Sequence, residues 1–307
     1  MREKMRIKNL PKEKKIVIIY NETDYYTHEE EEVTEESLDL MKNGLKKLGF
    51  EVDARCVSEN VEDLFDGRNP SETIVFNWCE QLGDMPNSDH VVPAILDELG
   101  YLYTGPDSSC IKLTQDKCKI KEILQKNSIS TPNSMSFSSE EDVKKIGSWN
   151  IFPAIVKPAA EHCSYGIDKF SVVDNKAQLL KRVKYIMKKY NNYALVEDFI
   201  DGFEFNVSII GNKRPKILPL SVIDYSYFSD YHDRICGFDA KWMYGSESYR
   251  RTTPEIYKDM DPDLKKRIED TTIGAYRALG CRDYARIDVR VRDNIPYVLD
   301  VNANPDC

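Results

Sequence analysis

The sequence predicts an α/β fold in its first part and an α+β organisation in its C-terminal part. Apolar runs alternate with helical patterns up to about residue 110, and beyond that point paired strands are separated by helices. Alternation is typical of a doubly wound parallel sheet, whereas neighbouring strands are typical of antiparallel pairing. With 307 residues and 41% hydrophobic content, the chain is long enough for more than one domain. We therefore expect a Rossmann-like parallel-sheet domain followed by a second, α+β part.

The first part opens as a β-α-β unit. Residues 16–20 form a continuous apolar run, which is typical of a strand buried on both faces of a parallel sheet. Apolar residues at helical spacing then predict a helix over residues 35–48, which Gly49 ends. The elements expected next are a strand over residues 50–54, a strand over residues 73–78 and a helix over residues 91–99.

An acidic stretch covers residues 29–36 and is interrupted only by Val33 and Thr34. Runs of like charge usually lie on the solvated surface. We therefore favour a solvated loop and helix start here, with the binding of a substrate ammonium group as the alternative.

The composition excludes several classes of function. A formal net charge of -9 argues against non-specific nucleic-acid binding, which needs a basic surface. No apolar run approaches membrane-spanning length or follows the basic start of the chain as a signal sequence would, so we expect a cytoplasmic protein without a membrane partner. The eight cysteines and four histidines lack zinc-ligand spacing. A divalent cation would thus be bound through oxygen, as magnesium prefers.

The segment after residue 110 begins with a predicted helix over residues 116–126. Residues 151–157 then form an apolar run that ends in Lys157. The loop after it, over residues 159–166, contains a single glycine. An ordinary strand connection therefore explains it as well as a loop that folds over phosphates.

Two glutamates lie near a predicted turn. Residues 194–200 and 203–210 predict two strands joined by Asp201-Gly202, with Glu197 and Glu204 close to that turn. A purine and its ribose need such polar groups beside an apolar slot. Solvated strand edges explain the two glutamates nearly as well.

Residues 285–292 alternate strictly between apolar and charged side chains, which predicts a half-buried strand. Its charged face carries Arg286, Asp288, Arg290 and Arg292. Asp293-Asn294 is turn-forming, so residues 296–302 return as the partner strand of a hairpin. A hairpin centred near residue 294 places Asp288 opposite Asp300 and Arg286 opposite Asn302.

Two carboxylates directly opposite each other repel unless a cation lies between them. Asp288, Asp300 and the amide oxygen of Asn302 would form a hard, all-oxygen site that suits magnesium. Arg286 beside it would attract an anion bound by the metal. Taken alone, however, a surface hairpin with mixed charges explains this pattern slightly better.

Aromatic clusters occur over residues 225–231 and 238–244, and such clusters are more often packing than ligand platforms. His162 and His232 are interpreted first as surface or hydrogen-bonding residues. None of these residues is assigned a catalytic role.

Several motifs occur in a fixed order along the chain. They are Asp116-Lys117, FPAIVKP over residues 152–158, VEDFIDGFE over residues 196–204, ARID over residues 285–288 and LDVNANP over residues 299–305. In this order they resemble the D-alanine–D-alanine ligase family of ATP-grasp enzymes, and the resemblance extends from residues 76–77 to the end of the chain. The conjunction is far more specific than any one motif.

The resemblance implies a two-lobed ATP-grasp fold and a set of residues that handle ATP and magnesium. Lys117 and Lys157 would contact the ATP phosphates, Glu197, Asp198 and Ile200 would line the adenine pocket, and Glu204 would hold the ribose. Lys241 resembles a further phosphate-contacting lysine. Asp288, Asp300 and Asn302 match the ligands of Mg²⁺, with Mn²⁺ as an alternative, and Arg286 matches the residue that stabilises the oxyanion.

The implied domains are an N-terminal α/β domain over residues 1–110, a central lobe over 111–190 and a C-terminal lobe with the metal site over 191–307. The implied reaction forms an amide or peptide bond through an acyl phosphate and releases ADP and phosphate. A non-catalytic ATP-binding module and a small-molecule kinase are the alternatives. The partners would be small-molecule carboxylate and amine substrates, and a homodimer is also open.

Three departures from the family concern the substrates more than ATP. Residues 21–24 replace a glycine-rich start, which leaves Glu30 as a candidate partner for an ammonium group. Residues 161–166 replace a Gly-Ser-rich phosphate loop, and the chain stops at Cys307, where the family continues with residues that close the acceptor site. We therefore expect a substrate that is an amino acid or small carboxylate and not necessarily D-alanine.

Overall fold

The computed structural model of the protein describes residues 15–21, 28–57, 60–83, 85, 87–161, 164–191 and 193–305. Side chains are described for all of these except residues 28–33. The chain divides into two compact units, Met1–Ser109 and Cys110–Cys307. Within the described residues, no helix has the length and apolar character needed to span a membrane.

The first unit contains a four-stranded parallel sheet. Its strands are β1 (Lys15–Tyr20), β2 (Glu51–Cys56), β3 (Thr73–Trp78) and β4 (Leu102–Tyr103), in the order β2-β1-β3-β4. The helices of this region are α1 (His28–Lys47) and α2 (Val91–Glu98). The predicted β-α-β opening is therefore confirmed.

Strand β1 is buried on both faces of this sheet, as its apolar run predicts. Val17 and Ile19 pack into a cluster with Val75 and Leu96, whereas Ile18 packs on the other side against Leu38 of α1. Because successive side chains of a strand point to opposite faces, a run without polar residues requires cover on both.

Helix α1 begins at His28, earlier than the predicted start at residue 35, so the acidic stretch over residues 29–36 is helical and not a loop. Glutamate is a good helix former, and negative charge near a helix N-terminus is favoured by the helix dipole. The predicted end is confirmed, since Gly49 adopts φ +94°, a left-handed conformation that glycine takes without strain.

The second unit contains two antiparallel sheets, as the α+β pattern predicts. The helices of this region are α3 (Ser108–Thr114), α4 (Lys117–Lys126), α5 (Glu140–Val143), α6 (Lys176–Tyr190), α7 (Phe238–Trp242), α8 (Glu247–Arg251) and α9 (Pro262–Ala278). The strands are β5 (Ser134–Phe137), β6 (Ala154–Pro158), β7 (Val172–Val173), β8 (Ala194–Asp198), β9 (Glu204–Ile210), β10 (Lys216–Ile217), β11 (Ser221–Ile223), β12 (Glu255–Ile256), β13 (Tyr284–Arg292) and β14 (Ile295–Asn302).

The small sheet has the strand order β5-β8-β6-β7, and the large sheet has the order β12-β11-β9-β13-β14 with β10 paired to β9. Helix α6 covers the small sheet through Leu179, Val183 and Ile186. Helices α4 and α9 bury their apolar faces in the core of the large sheet. Amphipathic helices thus supply the cover that each antiparallel sheet needs on one face.

The hairpin of β13 and β14 has the predicted pairing, with Asp288 opposite Asp300 and Arg286 opposite Asn302. Its two-residue turn is Asp293-Asn294, with φ values of +53° and +60°, as a type I′ turn requires. The register shifts after Asp288, because Asp288 pairs with Asp300 whereas the next residue pairs with Val298. Leu299 is therefore the extra residue of a β-bulge.

Candidate functional site

A cleft in the second unit gathers the residues that the sequence singles out. It is lined by Lys117, Lys157, Glu197, Asp198, Ile200, Glu204, Lys241, Asp288, Asp300 and Asn302, together with apolar residues such as Ile155, Ile167 and Leu299. Both antiparallel sheets contribute to it. Arg286, the remaining predicted residue, contacts the cleft wall through Asp288.

Two lysines of the cleft are almost completely buried. Lys117 is the first residue of α4, where the Asp116 side chain caps the helix by accepting from the Cys118 and Lys119 amides. Its Nζ donates to the Glu161 carbonyl at 2.6 Å and lies 3.3 Å from Oδ2 of Asp300. Lys157 projects from β6 and forms an ion pair with Glu197. Both ammonium groups are thus held at fixed places in the cleft wall.

Glu197 lies between two lysines and is 1% exposed. Oε1 lies 2.7 Å from Nζ of Lys121, and Oε2 pairs with Lys157. Burial disfavours the charged carboxylate, but the attraction of Lys121 and Lys157 outweighs it and holds the pKa of Glu197 below its usual value. Glu197 is therefore a buried carboxylate that stays ionised.

Lys121 is a residue that the sequence interpretation missed. It is 2% exposed, and burial lowers the pKa of its ammonium group, although Glu197 favours the charged form. A signal was present, because Lys117 and Lys121 occupy the same helical stripe as Ile120 and Leu124. Lysines within an apolar stripe must find buried partners.

The groups expected to bind the adenosine part of ATP line one wall of the cleft. The Asp198 carboxylate accepts from Nη1 and Nη2 of Arg292 at 3.1 and 2.7 Å. Glu204 accepts at Oε2 from Arg290 and Tyr225, and the Ile200 carbonyl accepts from Arg290. Arg290, which the hairpin pattern places among the charged residues, is almost completely buried and is itself part of the cleft lining.

The carboxylates of the hairpin are held by nitrogen donors. Oδ1 of Asp288 accepts from Nε of Arg286 and from Nδ2 of Asn206, each at 3.0 Å. Oδ2 of Asp288 accepts from Nδ2 of Asn302 at 3.0 Å. Asn206 was not predicted, because its pairing with Asp288 across β9 and β13 joins residues far apart in the sequence.

The donor set of the hairpin fits a hard cation. No group of three or more His, Cys, Asp or Glu side chains within the described part of the chain is arranged to hold a metal. Asp288, Asp300 and Asn302 offer two carboxylates and one amide oxygen. Mg²⁺ usually takes one or two carboxylates and completes its shell with water and phosphate oxygens. The residues present match that preference.

Lys241 lies in α7, beyond a segment that packs against the loop after β6. Oγ of Ser164 donates to the Cys236 carbonyl at 2.7 Å, and the amide of Phe238 donates to the Ile167 carbonyl at 3.1 Å. A Cβ atom at Gly237 would lie 2.9 Å from that carbonyl oxygen. Close backbone approach thus sets the position of α7 and of Lys241 at the cleft.

The residues expected to choose the substrate are only partly described. The Asn21 side chain accepts from the Glu80 and Gln81 amides at 2.7 and 3.2 Å, which is a structural role. Residues 22–24, the Glu30 side chain, His162, Cys163 and Cys307 lie outside the described part of the chain. His232 has the predicted hydrogen-bonding role, with its ring nitrogens facing Asp230 and Asp174 at 2.6 and 3.1 Å.

Comparison with known proteins gives a consistent result. The family described as D-ala D-ala ligase C-terminus matches residues 124–306. A D-alanine–D-alanine ligase of Carboxydothermus hydrogenoformans is 30% identical over 285 residues, which cover 90% of this chain and 85% of the relative. An uncharacterized protein of Sinorhizobium fredii, y4sG, is 31% identical over 237 residues, which cover 76% of this chain.

The matched segment spans only 65% of the length of y4sG and 66% of D-alanine–D-alanine ligase A of Bacillus cereus. Among solved structures, D-alanine–D-alanine ligase of Bacillus anthracis superposes with a TM-score of 0.69 at 25% identity, covering 94% of this chain and 86% of the ligase. The VanG D-Ala:D-Ser ligase of Enterococcus faecalis gives a TM-score of 0.70 at 19% identity, covering 95% and 91%. The observed fold therefore matches that of ATP-grasp ligases.

Proposed function

Because the chain belongs to the D-alanine–D-alanine ligase family of ATP-grasp enzymes, we propose that it is an ATP-dependent carboxylate–amine ligase. The reaction forms an amide or peptide bond through an acyl phosphate and releases ADP and phosphate. The observation that carries this proposal is the cleft that gathers three lysines, two buried glutamates and the Asp288–Asp300 pair. Few other chemistries need so many cationic groups beside two facing carboxylates.

ATP is the proposed nucleotide. In this assignment Lys117, Lys157 and Lys241 neutralise the phosphates. Glu197, Asp198 and Ile200 surround the adenine, and Glu204 accepts from the ribose hydroxyls. The burial of Lys117 and Lys157 supports it, since ammonium groups that are already dehydrated and held in place interact strongly with a phosphate. A Bacillus anthracis ligase of the same fold has been solved with ATP.

Mg²⁺ is the proposed metal, and Asp288, Asp300 and Asn302 would hold it. When bound, it would neutralise charge on the phosphates and bring them into register with the acceptor carboxylate. Arg286 and Asn206 fix the orientation of the Asp288 carboxylate by donating to Oδ1. Lys117 does the same for Asp300. These contacts leave the carboxylates at defined positions before any ligand arrives.

The transfer itself needs positioning more than covalent help from the enzyme. A carboxylate oxygen attacks the γ-phosphorus as the bond to the ADP oxygen breaks, and the amine then attacks the acyl carbon. The nitrogen loses a proton and phosphate leaves. In this proposal Arg286 stabilises the oxyanion of the second step, and Lys241 neutralises charge on the transferred phosphoryl group.

The proposed substrates are an amino acid or another small carboxylate and a small amine. D-alanine is a candidate for either position, because relatives carry the names D-alanine–D-alanine ligase and D-Ala:D-Ser ligase. D-alanine is not a required substrate, because residues 21–24 and 161–166 depart from the family pattern.

The test is an ADP-release screen with ATP, Mg²⁺ and pools of D- and L-amino acids and small carboxylates, followed by mass spectrometry of the products. The ligase proposal expects ADP release that depends on a carboxylate and an amine together, with an amide product. A phosphorylated acceptor without amide would identify a kinase. ATP binding without turnover in any pool would identify a binding module. Either result would overturn the proposal.

A further inference from the structure

Arg290 is a buried cation in the wall of the cleft. It lies on β13 between Asp288 and Arg292 and is 4% exposed. An isolated buried guanidinium would be very costly, so its donors must all find acceptors. Its contacts therefore indicate which groups of the cleft Arg290 holds in place.

The guanidinium group donates to three segments of the chain. Nε donates to Oε2 of Glu204 at 2.9 Å, Nη1 to the Ile200 carbonyl at 3.0 Å, and Nη2 to the Arg234 carbonyl at 2.7 Å. These acceptors belong to the start of β9, the turn after β8 and the segment before α7. The planar guanidinium fork reaches these acceptors from three nitrogen atoms held in a fixed geometry, whereas a lysine would have to reach all three from a single nitrogen.

Aromatic rings complete the environment of Arg290. The guanidinium carbon lies 4.6 Å from the ring centre of Tyr225 and 5.4 Å from that of Phe199, within the range of cation–π attraction. The Tyr225 hydroxyl also donates to Oε2 of Glu204, at 3.1 Å. Both donors to Glu204 thus use the same oxygen. Among the residues that the structure describes, none donates a hydrogen bond to Oε1 of Glu204. This oxygen is therefore available to a ligand in the cleft.

We propose that Arg290 is a positioning residue of the nucleotide site. Its fork fixes the Glu204 carboxylate and the Ile200 backbone in the orientation that receives the ribose and the base. This inference rests on the proposed function, because it takes the cleft to be an ATP site. Arg290 itself touches neither the reacting phosphorus nor the acceptor carboxylate. It acts through the two groups that it holds.

Arg290→Lys tests the inference, because it keeps the positive charge and removes the fork. The Kd values of ATP and of 2′,3′-dideoxyATP are measured by calorimetric titration with Mg²⁺ in the absence of acceptor substrates. The wild-type chain should prefer ATP, since Glu204 accepts from the ribose hydroxyls. In Arg290→Lys the Kd of ATP should rise about tenfold and that preference should fall to near unity, while kcat at saturating ATP changes less than about threefold.

Two further variants separate positioning from general loss of stability. Tyr225→Phe removes the other donor to Glu204 and should reduce the preference for ATP in the same direction, even if Arg290→Lys does not fold. Tyr276→Phe removes a partly buried hydrogen bond made by a core tyrosine, whose hydroxyl donates to the Gly211 carbonyl at 3.0 Å. It should lower the Tm and leave the preference for ATP unchanged.

The outcomes distinguish this inference from the proposed function. A wild-type chain that does not bind ATP overturns both. A wild-type chain that prefers ATP, with Arg290→Lys and Tyr225→Phe retaining that preference, overturns the positioning role alone. Equal affinity of the wild-type chain for the two nucleotides also overturns it, because Glu204 would then make no contact with the ribose that Arg290 could support.

Discussion

Nζ of Lys121 lies 2.7 Å from Oε1 of Glu197, and the two side chains are 2% and 1% exposed. The same ammonium group donates to Oγ1 of Thr131 at 2.8 Å and to the carbonyls of Val298 and Leu299 at 3.0 and 2.9 Å. A single buried cation thus joins α4, β8 and β14. Because Leu299 is the residue of the β-bulge, Lys121 also supports the register that places Asp300 opposite Asp288.

Replacing Lys121 with Met should lower the free energy of unfolding by about 3 kcal/mol, since removal of one partner leaves a buried carboxylate with less compensation. Urea denaturation followed by circular dichroism measures this change. Lys119→Met on the same helix is the matched control, because the Lys119 side chain is 59% exposed. Its effect should stay below about 0.5 kcal/mol.

The double variant Lys121→Met, Glu197→Gln extends this comparison. Removing both charges should cost less than the sum of the two single changes, because each single change already removes the Lys121–Glu197 attraction. Lys157 loses its Glu197 partner in Glu197→Gln and in the double variant alike, so that loss cancels in the comparison. Strict additivity, or a Lys121→Met variant as stable as Lys119→Met, would contradict a buried ion pair between Lys121 and Glu197.

Asp300→Asn should reduce turnover at saturating ATP on the order of 100-fold or more, because it removes one of two facing carboxylates proposed to bind the metal. The fold should persist, since asparagine has nearly the same shape. Asp293→Asn, in the turn of the same hairpin, is the matched control and should keep wild-type activity, because asparagine readily adopts the φ of +53° found there. Equal activity of the two variants would remove Asp300 from the proposed metal site.

Gly202→Ala should destabilise the second unit by about 2 to 3 kcal/mol. A Cβ atom at residue 202 would lie 2.1 Å from the Val291 backbone oxygen, so the turn between β8 and β9 would have to move away from β13. At Gly147 an added Cβ meets nothing within 4 Å, and Gly147→Ala should be neutral or stabilising. Thermal unfolding of the two variants compares them directly, and similar Tm values would show that this close approach is not required.

His232 should make the stability of the second unit depend on pH. Burial opposes its charge, but hydrogen bonds to Asp230 and Asp174 outweigh burial and raise its pKa in the folded state. The folded protein therefore holds this proton more tightly than the unfolded chain does. The stabilisation is complete below the unfolded pKa of about 6.5 and is lost as the pH rises through the higher folded-state pKa.

The Tm difference between the wild-type chain and His232→Gln should accordingly be largest in mildly acidic buffer and shrink as the pH is raised. His90→Gln serves as the control, because the His90 ring nitrogen faces a neutral carbonyl, that of Asn87, at 3.1 Å. A His232→Gln difference that stays constant with pH would exclude a charged His232 between the two aspartates.

The hairpin illustrates how much a local pattern can predict. Alternation over residues 285–292 identifies the charged face, and Asp293-Asn294 identifies the turn. A two-residue turn without a bulge would pair Asp288 with Leu299, so the observed pairing with Asp300 depends on the bulge. That bulge is held by Lys121 and by Thr131, whose hydroxyl donates to the Val298 carbonyl at 2.8 Å. These contacts come from distant parts of the chain, so no local pattern contains them.

The rest of the structure likewise divides into features that local patterns predict and contacts between distant parts of the chain. The prediction of a parallel sheet followed by antiparallel sheets follows from patterns within single elements, and it is confirmed. Arg290, Asn206 and Lys121 gain their roles from partners on other strands and helices. Their partners could be identified only when β8, β9, β13 and β14 are placed side by side, although the apolar stripe of α4 already indicates that Lys121 is buried.

Transfer of ¹⁸O from the carboxylate to phosphate tests the ligase proposal most directly. The substrate pair found in the ADP-release screen is supplied with both carboxylate oxygens labelled, and the released phosphate is analysed by mass spectrometry. An acyl phosphate carries one carboxylate oxygen into the phosphate, so labelled phosphate should appear in step with an amide that has lost one label. Unlabelled phosphate, or label retained in a phosphorylated product, would contradict a carboxylate–amine ligase.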